Sequence, residues 1–219
     1  VSGARARLTW LPPFVLGAAG AVAAELAVGL LLYSSEGFTR ALSVILATEA
    51  GALGFGLWSA RVEGGVETLR RRWLLTLVAF TAAAGFAVIW DAGEGFAAAS
   101  FSQGLGLALL GGLPLYGVGV VLGSSVADEV DGGTYGPASP GAAAAVGAAV
   151  GLLGGGLLLL PRFHPTSALL FCVVALSFAA VVQGWLLDGW LQRRCLAEAR
   201  SEIGALRLES RRRGSPRAH

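Results

Sequence analysis

Lysine and methionine are absent from this 219-residue chain, so all 16 strongly basic residues are arginine. That bias fits GC-rich coding better than any physical requirement. Charge of either sign is scarce, at 14% of residues against about 25% in a soluble domain. Hydrophobic residues reach 55% and mean hydropathy is +0.69. So little charge cannot cover a water-facing surface, which excludes a water-soluble enzyme. The same apolar content excludes disorder. A net charge of +2 gives no electrostatic footprint for nucleic acid. What remains is an integral membrane protein.

Cysteine and histidine are equally sparse. Cys172 lies in an apolar run and Cys195 in an Arg-rich tail, which disfavours a structural disulfide. These two cysteines with His164 and His219 lack the closely paired Cys and His spacing of a structural zinc site. His164 sits in a short loop between apolar runs, a poor place for a haem or chlorophyll ligand. No nucleophile–base set or phosphate loop is present. The expectation is therefore a non-enzymatic protein with no metal and no cofactor.

A spanning helix needs about 20 apolar residues, and six such runs are found: Pro12 to Tyr33, Phe38 to Ser59, Trp73 to Trp90, one within Gly95 to Ala127, Pro140 to Leu160, and Thr166 to Leu187. Arg5 and Arg7 before the first run, with the small-residue pattern Ala21-Val22-Ala23, imitate a signal peptide. The segment is read instead as the first membrane helix. Trp10, Trp58, Trp73, Trp90, Trp185 and Trp190 fall near the ends of these runs, as expected for rings at the headgroup interface. Pro114 removes a backbone donor inside the fourth run and is expected to kink it.

Arginine sets the orientation. Arg5 and Arg7, then Arg61 with Arg70, Arg71 and Arg72, then the arginines after the sixth run all share one side of a six-span chain. Both termini are thus predicted cytoplasmic, in an inner membrane. Residues 1–187 form the bundle and 188–219 a separate tail. In that tail Leu191, Cys195, Ala199 and Ile203 recur every four residues, the pattern of an amphipathic helix on the membrane surface. Arg70, Arg71 and Arg72, and Arg211, Arg212 and Arg213, are candidate lipid- or partner-facing groups.

Inside the runs, polar groups are few. Glu25 and Glu49 fall within the first and second spans, with no arginine in either apolar run to pair with them. A lone carboxylate there must be protonated, hydrated or cation-bound, and such acids mark proton or cation paths by default. Gln103 and Gln183 are their candidate partners. Of the 33 glycines, Gly147, Gly151 and Gly155 recur at four-residue spacing, which lets helices approach closely, within the bundle or between copies of the chain.

Phe38-Thr39-Arg40-Ala41-Leu42-Ser43 followed by Gly51-Ala52-Leu53-Gly54, Leu113-Pro114-Leu115-Tyr116-Gly117, and Gly147 to Gly151 with Gly154 to Arg162 together resemble the membrane portion of fused polyamine (spermidine) synthases. That portion is similar to half of a major facilitator transporter. Gly56 to Arg61 with Arg70-Arg71-Arg72 resembles the transporter loop between spans two and three, with Ala60 at the usual acidic position. Ser100-x-x-Gln103-Gly104-x-Gly106 resembles the fourth-span motif with its Arg replaced by Ser. The resemblance implies a six-helix transporter-half fold. The synthase catalytic domain has no counterpart here, so no catalytic residue is carried over. With the transporter motifs eroded, the leading expectation is a membrane subunit or scaffold of a larger assembly. The alternatives are a small cation- or proton-linked transporter acting as a homodimer, and the membrane subunit of a synthase-like enzyme with a separate catalytic chain. The expected partners are membrane lipids and other membrane subunits or a second copy.

Overall fold

The computed structural model describes residues 9–33, 38–60, 66–92, 105–132, 139–159 and 161–188. Among these residues the chain is all-helical, and all six helices are long and apolar enough to cross a membrane. They are α1 (Leu11–Tyr33), α2 (Phe38–Ser59), α3 (Val66–Ala92), α4 (Leu113–Gly132), α5 (Pro140–Gly154) and α6 (Pro165–Asp188). A wide π-helical segment, Leu107–Gly112, leads into α4, and a second, Gly155–Leu159, continues α5. Gln103, the proposed amphipathic tail helix and Arg211, Arg212 and Arg213 lie outside the described residues.

The helix starts follow from local chemistry. Pro12 and Pro13 occupy the first turn of α1 and Pro165 opens α6, positions where a missing N–H costs nothing. Ser139 caps α5, its hydroxyl accepting from Ala142 N–H at 3.1 Å with Pro140 just after it. Within the helices the hydroxyls bond backward to backbone carbonyls. Thr48 donates to Val44 O, Thr76 to Arg72 O and Ser177 to Val173 O, each at 2.8–2.9 Å. This satisfies polar atoms that lipid cannot.

Pro114 lies directly after the first π segment, where Leu113 N–H bonds to Ala108 O, five residues back. The pyrrolidine ring would crowd the carbonyl four residues earlier, Leu110 O. Widening the preceding turn makes room for the ring, while the bond that Pro114 lacks an N–H to make is lost in either case.

Two parallel glycine seams organise the bundle. Along the first, Gly147, Gly151 and Gly155 of α5 and its extension face Phe14, Ala18 and Val22 of α1. The offset is 133 residues at each step (147 − 14, 151 − 18, 155 − 22), so the two helices run parallel in fixed register. A Cβ on Gly147 or Gly151 would strike backbone atoms of α1. The glycine face is thus filled within the chain and is not presented to a second copy. Along the second seam, Gly56 of α2 meets Tyr116 and Val120 of α4, while Gly119 meets Leu53 and Gly123 meets Leu57 and Ala60. Gly117 packs against Thr76, which brings α3 onto α4.

The core gathers Leu16, Phe80, Leu110, Val121, Leu169 and Leu176, all nearly solvent-free. Large apolar side chains also point outward, among them Leu153, Leu157, Val174, Phe178 and Val181. On a soluble protein that surface would drive aggregation; in lipid it is the solvated face.

Two expectations at the start of α3 are corrected. Arg70, Arg71 and Arg72 are helical rather than in a loop, because α3 begins at Val66 instead of Trp73. Trp73 therefore lies two turns inside the helix and is only 5% exposed, whereas Trp10, Trp58 and Trp185 are exposed near their helix ends. Trp190 is outside the described residues.

Candidate functional site

Both acids lie on the glycine seams. Glu49 is near the middle of α2, 11 residues from Phe38 and 10 from Ser59. Glu25 is off centre, 14 residues from Leu11 and 8 from Tyr33, or about 21 Å and 12 Å at 1.5 Å per residue. Glu49 is thus central along its helix, and Glu25 lies nearer the C-terminal end of its own.

Each carboxyl abuts glycine in a π-helical segment. A Cβ on Gly111 would come 3.3 Å from Glu49 Cγ and Oε1 and 3.3 Å from Ala27 Cβ. A Cβ on Gly155 would come 2.8 Å from Glu25 Oε2, and one on Gly156 would overlap Glu25 Oε1. Gly111 belongs to the π segment before α4, and Gly155 and Gly156 to the one after α5. A side chain at Gly155 or Gly156 would displace the Glu25 carboxyl, and one at Gly111 would press on that of Glu49. The two acids do not share a site. Glu25 faces the α5 side of α1, while Glu49 meets the bundle beside Ala27, about 200° further round α1.

Of the two amides expected as partners, Gln103 lies outside the described residues and Gln183 is placed elsewhere. Glu49 is 6% exposed, and its Oε1 has no hydrogen-bond partner among the described residues; the same holds for Glu25 Oε2. Gln183 instead lines a cleft between α3 and α6. A buried carboxyl oxygen without a donor is costly, and a π turn shifts backbone bonds from the i−4 to the i−5 register, a deviation frequent at functional sites. A buried carboxyl packed directly against backbone, with no side chain between, is a hard-oxygen group suited to a proton or a small cation.

A different polar cluster joins three helices. Arg72, 8% exposed, donates to Ala60 O at 3.2 Å and to Ser124 Oγ, and Ser124 donates to Val120 O at 2.7 Å. Arg72 thereby ties the end of α2 and the middle of α4 to α3. Arg70 pairs with Asp188 at the end of α6, while Arg71 is exposed. Sequence reading grouped all three as surface arginines. The signal for separating them was helical phase: Arg72, Thr76, Ala79, Phe80 and Ala83 follow one buried stripe.

No family model, curated protein or solved structure matches this chain.

Proposed function

We propose that this chain is a small polytopic membrane protein that takes up and releases a proton or monovalent cation at Glu49 and Glu25, built as a transporter-half-like bundle. The observation that carries the reading is the placement of two carboxyl oxygens without partners against glycines of π-helical segments. The sequence argument for a passive scaffold is one of subtraction, from the lack of a nucleophile–base set, metal cluster or phosphate loop and from the eroded transporter motifs. The acids themselves supply a group that can change protonation or bind a cation inside the membrane. The sequence resemblance to half a major facilitator transporter supports the same reading, and a complete path in that design calls for a second bundle.

The test uses the full chain reconstituted in vesicles, with proton and sodium flux measured beside thermal stability for the parent, Glu49→Gln and Glu25→Gln. The expected result is flux in the parent and its loss in Glu49→Gln with the unfolding midpoint unchanged or raised. Absence of flux in a stable, correctly inserted parent would sink the reading.

The scaffold reading keeps one supporting observation. The outward faces of α5 and α6 carry Leu153, Leu157, Phe171, Val174, Phe178 and Val181, a broad apolar surface that other membrane helices can cover. Native mass spectrometry of the gently solubilised protein distinguishes a stable hetero-assembly from a single chain or homodimer.

A further inference from the structure

A cleft of about 130 Å³ opens between α3 and α6 at the end of the bundle that carries Arg70 and Asp188. Arg70 and Gln183 stand in its wall, with Leu74, Leu77 and Leu187. Trp73 completes the wall, and its indole N–H is buried with no acceptor among the described residues.

The donor set is one-sided. The guanidinium and the indole N–H can only donate, the carboxamide adds two more N–H donors beside its carbonyl, and Asp188, the carboxylate paired here, is engaged by Arg70. A ligand fitted to such a wall brings oxygens that accept hydrogen bonds, and a phosphate matches a guanidinium fork best. The remaining walls are apolar. Leu74 is 63% exposed, and Val78 and Val181 continue outward from it along the two helices. The cleft therefore runs from charged groups at a helix end into lipid-facing surface over about two turns, the profile of a headgroup with its acyl chain. Arg71, exposed beside Arg70, adds positive charge at the rim.

We infer that the α3–α6 cleft binds one anionic phospholipid, its phosphate held by Arg70 with Trp73 Nε1–H and Gln183, and its acyl chain lying along Leu74 and Leu77. Asp188 competes with the phosphate for Arg70 and so tunes the affinity. This site is independent of the two intramembrane acids and of the transport reading.

The experiment titrates the purified full chain in mild detergent with short-chain phosphatidylglycerol, short-chain phosphatidylcholine or inorganic phosphate, and follows the thermal midpoint. The expected result is saturable stabilisation by phosphatidylglycerol alone. Arg70→Gln weakens it about tenfold or more, as for loss of a charge-assisted contact. Trp73→Phe, which keeps the ring and removes the N–H, weakens it by a smaller factor. Asp188→Asn, which releases Arg70 from its ion pair, tightens it. Arg162→Gln, beyond the other end of the bundle, binds like the parent. Equal stabilisation by phosphatidylcholine, or a response to inorganic phosphate alone, overturns the proposal. So does weaker or unchanged phosphatidylglycerol binding in Asp188→Asn, which is the result expected if the ion pair were merely structural.

Discussion

At the residue scale, the difference between neighbouring side chains of one type decides what each does. Arg70, Arg71 and Arg72 are consecutive, yet one is ion-paired at a helix end, one is exposed and one is buried between three helices. The buried one needs its acceptors. Ser124→Ala removes an acceptor from a buried guanidinium and is expected to cost about 1.5–3 kcal/mol, the range for hydrogen bonds to charged groups; chemical denaturation in detergent measures it. The glycine beside Glu25 is equally specific. A methyl at position 156 would occupy the carboxyl's place, so Gly156→Ala should displace the acid and reproduce the flux phenotype of Glu25→Gln in the vesicle assay. Parent-like flux in that variant would separate Gly156 from the site.

Among the elements, backbone contact across the glycine seams sets which helices pair. Gly151 lies against Ala18 with room for no Cβ, whereas Gly85 on α3 has nothing within 4 Å of where a Cβ would stand. Gly151→Leu is thus expected to destabilise by about 3 kcal/mol or more, at the upper end of overpacking costs because backbone and not a movable side chain is in the way. Gly85→Leu is expected to leave the unfolding midpoint unchanged. Comparing the two thermal melts checks the seam directly. The spacing of Gly147, Gly151 and Gly155 was visible in the sequence and announced a close contact. It did not name the partner, because small residues permit approach by any helix; the register with Phe14, Ala18 and Val22 appears only once α1 and α5 are packed. The two π-helical segments were also hidden. Their glycines and Pro114 are compatible with several backbone outcomes, and neighbouring helices select one.

For the whole molecule, the Arg70–Asp188 pair joins the start of α3 to the end of α6. Four helices of membrane-spanning length, an even number, run between those points, so the start of α3 and the end of α6 lie at the same end of the bundle. Reporter fusions after Leu187 and near Asp91 are expected to report opposite sides of the membrane. Identical readings would show that one of the six helices does not cross.

Composition by itself pointed to the solvent: 14% charge and 55% hydrophobic residues do not suit a water-facing surface, and all six helices are long and apolar enough to cross a membrane. Apolar run length determined six helices, since each must satisfy its own backbone in lipid, and the ends of α2 agree with the sequence reading to the residue. Only the tertiary structure decided what the polar residues face. A helix fixes which residues share its own stripe, but the group across from that stripe belongs to another helix, and the sequence carries no rule linking Glu25 to Gly156 or Glu49 to Gly111. Gln183 illustrates the same limit: chemically a fair partner for either acid, it lies on a helix whose packing turns it toward Arg70 and Trp73.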